Sequence, residues 1–379
     1  MPMDYDKYKD IRPYKGEEEK AALSRIAMHP LLENISKYLF PGKDPNDFRN
    51  FILSLDSVND FQLKVMFNAI NKIIADTAIR LTYTGVENIS EDKKYLFISN
   101  HRDILLDSAI IQSILCANGI DTSQMAVGDN LITDFFIEDV ARSNKMVKVI
   151  RGGNVREIYH ASMLLSEYIR DSITENYSSV WIAQRNGRTK DGIDITEQGV
   201  LKMFDMSGKS DFVKNFAELN IVPVSLSYQY EPCDLLKARE LYISKRTKYI
   251  KNPGEDLNSI LTGIMQFKGN IHICFNEPLT ADEIGICAEL EKNERFVALA
   301  NIIDHKIVGS YKLWNTHYMA YDMLYDTNQY AGKYTSEERL SFENYCSFKL
   351  SNIDGNYEEF RDIFLSIYAN CITNSENHK

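Results

Sequence analysis

Tyr95-Leu96-Phe97-Ile98-Ser99, followed at once by Asn100-His101-Arg102-Asp103-Ile104-Leu105-Leu106-Asp107, is the stretch whose reading decides the fold. The first five residues are a strongly apolar run of strand length, as expected of a buried strand. Behind the octapeptide, Ser108-Ala109-Ile110-Ile111-Gln112-Ser113-Ile114-Leu115 reads as a buried helix. A histidine and a carboxylate therefore sit at a strand-to-helix switch. Helix N-termini carry free backbone N–H groups and a partial positive charge, and they attract anions. A histidine oriented by an aspartate at such a place is suited to act as a general base. The ordinary alternative is a capped helix start with a solvated histidine. Asp103 competes with Asp107 for the orienting role, although an Asp just before an apolar helix usually caps it.

Outward from this point the chain alternates. Gln124 to Gly128, Met146 to Ile150, Ser179 to Gln184, Ile221 to Tyr228 and Asn270 to Phe275 read as further strands. Asp129 to Ser143 and Glu157 to Asn176 read as helices between them. Such alternation predicts an α/β fold with a mixed, mostly parallel sheet flanked by helices. Ala21 to Phe40 and Val58 to Leu81 have helical spacing, interrupted by Pro41-Gly42-Lys43-Asp44-Pro45. From about residue 281 the chain is helical again. The expected organisation is an N-terminal helical region (1–81), a central domain (82–285) and a C-terminal helical extension (286–379).

The 379 residues carry a net charge of −11 and 44% apolar side chains. The acidic balance argues against general nucleic-acid binding and requires any phosphate or membrane contact to come from a local basic patch. Six scattered cysteines without a CxxC pair disfavour a disulfide framework or a zinc site and fit a reducing cytosol. No metal-ligand spacing is apparent among the other histidines. The N-terminus does not read as a signal peptide, and no run reaches the roughly 18 apolar residues of a membrane span.

Further residues could carry chemistry. Arg151 follows an apolar strand and precedes Gly152-Gly153, where an open α/β sheet tends to bind ligands. Gln184-Arg185-Asn186-Gly187-Arg188-Thr189-Lys190-Asp191-Gly192 is a cation- and glycine-rich loop suited to a phosphate, or equally a polar connection. Pro223 stands near the start of a strand, which suggests an edge or strand-start position. Lys237, Arg239, Lys245, Arg246, Lys248 and Lys251 form a basic run that is either a solvated face or a dock for an anionic membrane or an acidic carrier protein.

In this order and spacing, the His101-to-Asp107 turn, Arg151, the Gly187-Arg188 loop and Val222-Pro223 resemble the glycerophospholipid acyltransferase superfamily. Gly85-Val86-Glu87-Asn88-Ile89 is similar to that family's lead-in and Phe275-Asn276-Glu277-Pro278-Leu279 to its closing motif, so the resemblance spans roughly residues 82–280. It implies an O-acyltransferase of the 1-acylglycerol-3-phosphate or glycerol-3-phosphate type. His101 would be the base and Asp107 its charge partner, with Arg151, Asn186, Gly187, Arg188, Lys190 and Pro223 around the substrate. The donor would be acyl-CoA or acyl carrier protein, with no bound cofactor or metal. The acceptor would be lysophosphatidic acid giving phosphatidic acid, with glycerol-3-phosphate or a hydroxylated aminolipid as variants. The partners implied are a membrane surface, a lysophospholipid and an acyl carrier protein, with a cytoplasmic position on the inner face of the cell membrane. A catalytically silent lipid- or carrier-binding protein on the same fold is the rival expectation.

Two departures suggest a divergent, Bacteroidetes-like branch. Five residues separate His101 from Asp107 where the family has four, and one residue rotates a helical position by about 100°. The family's Glu-Gly-Thr-Arg motif has Asn186 in place of its Glu and no Thr before Arg188.

Overall fold

A computed structural model describes residues 4–378. Its seven strands are β1 (Ala78–Thr84), β2 (Leu96–Ser99), β3 (Gln124–Gly128), β4 (Met146–Val149), β5 (Val180–Ala183), β6 (Ile221–Tyr228) and β7 (Gly269–Phe275). They lie in one sheet in the order β1-β7-β6-β2-β5-β3-β4, and every pairing is parallel except β6 with β7. The fold is α/β with a mixed, mostly parallel sheet, as the alternation predicts.

Before the sheet come α1 (Glu17–Met28), α2 (Leu31–Leu39), α3 (Pro45–Leu53), α4 (Val58–Phe61) and α5 (Phe67–Thr77). Within it run α6 (Leu106–Ala117), α7 (Phe135–Ser143), α8 (Val155–Thr174), α9 (Gln198–Met206), α10 (Phe212–Ala217), α11 (Asp234–Ser244) and α12 (Glu255–Met265). After it come α13 (Ala281–Ala288), α14 (Glu294–Gly309), α15 (Asn315–Leu324), α16 (Ser336–Leu350) and α17 (Tyr357–Asn377).

β2 shows why its sequence is apolar throughout. Successive side chains point to opposite faces. Leu96 and Ile98 join a core with Val180, Ile221 and helices α8, α9 and α14. Phe97 joins the opposite core with Trp181, Val222 and helices α5 and α6. A separate core lies among α11, α15, α16 and α17, and another among the N-terminal helices.

Three local readings change. The helix expected over Val58 to Leu81 ends at Thr77, and the chain continues as β1. β1 is an edge strand paired only to β7, and its half-exposed pattern hides the alternation that marks a strand. The helix expected over Ala21 to Phe40 breaks at His29-Pro30, where His29 takes an extended conformation as a residue before proline prefers. Pro223 lies in an interior strand, between β2 and β7. Its carbonyl accepts from Asn276 N at 3.0 Å, while the β6–β7 register starts only at Val224. The missing N–H thus falls where the antiparallel ladder has not begun, and the strand tolerates it.

Candidate active site

β2, β3, β4 and β5 run parallel, so their carboxyl ends open on one edge of the sheet. Open α/β sheets bind ligands at such edges. His101 follows β2, Arg151 follows β4 and the Gln184 to Lys190 loop follows β5. His101, Arg151, Asn186, Gly187, Arg188 and Lys190 line one cavity of about 580 Å³. Pro223 does not line it.

The His101 turn is held from both sides. The Asn100 amide is buried and clamps Leu226, accepting from its N–H at 2.8 Å and donating to its carbonyl at 3.0 Å. Thr189 N–H donates to the His101 carbonyl at 2.7 Å, which ties the Gly187-Arg188 loop to this turn. Gly187 adopts φ +80°, a conformation that favours glycine.

The extra residue between His101 and Asp107 does not separate them. Asp107 is the second residue of α6 and is fully buried, whereas His101 sits in the non-helical lead-in. The turn arches over the carboxylate. Asp107 Oδ2 lies 2.8 Å from His101 Nδ1 and accepts the backbone N–H groups of Arg102 at 2.6 Å and Asp103 at 2.9 Å. Oδ1 accepts the Tyr228 hydroxyl at 2.8 Å. Burial and the nearby Asp107 charge push the Tyr228 phenol up, so it stays a donor. His101 Nε2 has no hydrogen-bond partner among the described residues, and the ring lines the cavity.

Asp103 takes the capping role. Its Oδ1 accepts from Leu105 N and Leu106 N at 2.9 and 2.8 Å. Its Oδ2 is buried without a partner, and burial beside Asp107 pushes its carboxyl up. Arg102 points away from the cavity into a buried ion cluster. It pairs with Asp194 at 2.6 Å and Glu231 at 3.2 Å, and Glu231 pairs with Lys237 at 2.5 Å. Lys237 in turn donates to the Arg102 carbonyl at 2.7 Å.

Several contributors were not singled out from the sequence. Tyr228 reads only as the aromatic end of a strand, because its partner lies 121 positions away. Glu197 lies beside the altered Glu-Gly-Thr-Arg motif and accepts from Asn186 N at 3.1 Å, so a carboxylate stands here although residue 186 is Asn. Asp304 on α14 accepts from Thr196 N and Oγ1 and anchors the same loop; burial pushes its carboxyl up to about 6. Lys190 is ion-paired to Glu240. Burial, with Lys251, Arg188, Lys237 and Arg185 nearby, pushes its ammonium down to about 8.

A second cavity of about 550 Å³ adjoins the first and shares Ile104, Val127 and Leu131 with it. Its lining is almost wholly apolar and comes from the N-terminal helices, α6, α7 and α12, including Ile35, Ile52, Ile70 and Ile264.

A part-buried histidine held by a buried aspartate thus stands at the carboxyl edge of a mostly parallel sheet, in one cavity with arginines and a lysine. Residues 80–228 match the family model described as Acyltransferase. The match overlaps the segment, roughly residues 82–280, whose motifs resemble the glycerophospholipid acyltransferases. The match runs from within β1 to the last residue of β6, so the N-terminal helices, β7 and the C-terminal helices fall outside. The crystal structure of the 1-acyl-sn-glycerophosphate (LPA) acyltransferase PlsC from Thermotoga maritima is similar at 13% identity and a TM-score of 0.41, over 75% of this chain and 91% of that one. No curated protein matches the chain.

Proposed function

We propose that this protein moves a fatty acyl group from an acyl-CoA or acyl carrier protein thioester to the hydroxyl of a glycerophosphate acceptor, with lysophosphatidic acid as that acceptor and phosphatidic acid as the product. The carrying observation is the 2.8 Å contact between His101 Nδ1 and Asp107 Oδ2, with Nε2 left open on the cavity. Asp107 holds the ring with its proton on Nδ1, which makes Nε2 the acceptor. Nε2 takes the proton of the acceptor hydroxyl as its oxygen attacks the thioester carbonyl. The tetrahedral intermediate collapses, the new C–O ester bond remains, and the C–S bond breaks. The imidazolium returns its proton to the leaving thiolate, so no acyl-enzyme is needed.

Arg151, Arg188 and Lys190 hold the acceptor phosphate, the arginines as forked donors and the lysine as a point charge. Asn186 and Gly187 shape the loop that presents them, and Pro223 supports the sheet beneath. The apolar cavity takes the acyl chain, since burying each methylene is worth about 0.8 kcal/mol.

No helix among the described residues is long and apolar enough to cross a membrane. Leu31, Ile35, Leu261 and Met265 are exposed, and the last three border the apolar cavity. We place this face against the bilayer on the inner side of the cell membrane, with lipid entering there.

The test is thiol release from palmitoyl-CoA and palmitoyl-acyl carrier protein, with lysophosphatidic acid, glycerol-3-phosphate and a hydroxylated aminolipid as acceptors. Acceptor-dependent release with lysophosphatidic acid is expected. Lipid binding without thioester consumption under any pairing would replace this reading with a silent lipid- or carrier-binding protein.

A further inference from the structure

Residues 237–251 hold six cations and one carboxylate in an otherwise acidic chain. Some of this charge is already matched. Lys237 pairs with Glu231, Arg246 with Glu359 and Lys251 with Asp256. Among the described residues, Arg239, Lys245 and Lys248 have no carboxylate within ion-pair distance.

Two of these three line a concave site. Arg239 and Lys248 border a third cavity, of about 500 Å³, between α11 and the start of α12. Both of its carboxylates are hydrogen-bonded or ion-paired. Glu240 pairs with Lys190, and Glu255 accepts from Tyr249 Oη at 2.6 Å and Asn252 N at 3.1 Å. The balance is positive, since Arg188, Arg239 and Lys248 outnumber Glu255, whose partners are neutral. Arg188 lines both this cavity and the His101 cavity, so the two are neighbours across one side chain. Arg188 Nη1 is buried without a partner at that junction.

Geometry separates the needs of the reaction. A thioester carbonyl has its acyl chain on one side and its thiol carrier on the other. The apolar cavity meets the His101 cavity at Ile104 and Leu131, and the basic cavity meets it at Arg188. Resting on the acyl-transfer reading, we propose that Arg239 and Lys248 bind the phosphate of the donor's pantetheine arm, the group shared by coenzyme A and acyl carrier protein.

The probe is a matched pair of donors, S-palmitoyl-4′-phosphopantetheine and S-palmitoylpantetheine. In the native protein the phosphorylated donor should have a KM about tenfold lower, as expected for charge-assisted contacts to one phosphate. The double variant Arg239→Glu, Lys248→Glu should erase that gap and leave kcat and the acceptor KM unchanged. Lys245→Glu, in the same run but outside the cavity, should retain it. Palmitoyl-CoA and palmitoyl-acyl carrier protein should both lose affinity in the double variant; loss with palmitoyl-CoA alone would assign the cations to the adenosine phosphates and overturn the inference. It also falls if the gap persists, if Lys245→Glu erases it equally, if the acceptor KM moves instead, or if the double variant only sheds from phosphatidylglycerol vesicles. Calorimetric titration with 4′-phosphopantetheine separates this failure from that of the acyl-transfer reading. Binding that weakens about tenfold in the double variant supports the site even if no donor turns over; turnover without such binding removes the site and leaves the acyl-transfer reading in place.

Discussion

The His101 cavity and the apolar cavity touch at Ile104, yet they are built in opposite ways. The first is made by the ends of parallel strands, its polar side chains fixed by hydrogen bonds such as Asn100 to Leu226 and Thr189 to His101. The second is made mainly by side chains of helices, those before the sheet together with α6, α7 and α12, and almost nothing polar faces it. Polar groups in the first set chemistry and orientation. The second offers only apolar area, and area selects by length and volume. The two should therefore respond differently to substitution: damage to the first should appear in kcat, and damage to the second in KM for long chains.

The largest effect tests the first half. His101→Ala should lower kcat about 10³-fold or more, since a positioned base contributes roughly 10²–10⁴. Asp107→Asn should cost nearly as much while leaving the ring in place, because the amide can present its N–H to Nδ1 and reverse the tautomer. Steady-state kinetics with unchanged thermal melting would make the case. A His101→Ala protein that turns over normally removes the base from the mechanism.

The apolar cavity gives the next effect. Ala69→Phe adds a ring to its wall. KM for a palmitoyl donor should rise about tenfold while a hexanoyl donor is little affected, because only the long chain needs the space that the ring fills. Equal changes for both chain lengths would show that this cavity does not house the chain.

A smaller effect separates positioning from chemistry within the polar cavity. Tyr228 donates to Asp107 and does not line the His101 cavity. Tyr228→Phe leaves Oδ1 buried and unpaired, so kcat should fall roughly tenfold with little change in KM. The substitution keeps the ring and its packing, so a loss in kcat at an unchanged melting temperature comes from the hydroxyl's bond to Asp107. A kcat unchanged in Tyr228→Phe would reduce Tyr228 to ordinary packing.

The contrast between the cavities also explains what could be read from the chain. The polar cavity was legible because its residues stand next to strand ends, where an apolar run stops and a histidine, an arginine or a glycine begins. The distance from His101 to Asp107 was not legible, since helical rotation alone predicts a misplaced carboxylate. The lead-in arches so that two backbone N–H groups and Nδ1 converge on one oxygen, and spacing does not encode that arch. Tyr228 and Glu197 were hidden because their contacts are made by folding, not by neighbourhood. The apolar cavity was hidden more fully. Ile52 and Ile70 look like any inward-facing helical residues, and nothing in a periodic pattern says whether the space they face is filled. β1 disappeared for a related reason, as an edge strand shows solvent on the side that would reveal its period.

The smallest effect concerns charge in the polar cavity. Lys190 titrates near 8 when folded, below the usual lysine value near 10.5, because it is buried among other cations. Its ammonium is therefore present at neutral pH and lost as pH rises through about 8. A phosphate monoester is already doubly charged above its second pKa near 6, so the acceptor contributes no further titration in this range. The acceptor KM should rise about threefold to fivefold between pH 7.5 and 9.5, while kcat stays nearly level. Bound phosphate favours the ammonium, so the rise should be weaker and later at saturating acceptor. Lys190→Arg should flatten the dependence, since a guanidinium stays charged throughout. An acceptor KM that is level across this range in the native protein would place Lys190 outside the phosphate contact and leave Arg151 and Arg188 to hold it. The chain-length preference should not move with pH in either protein, because among the described residues the apolar cavity proposed to set it has no lining group that titrates between pH 7.5 and 9.5.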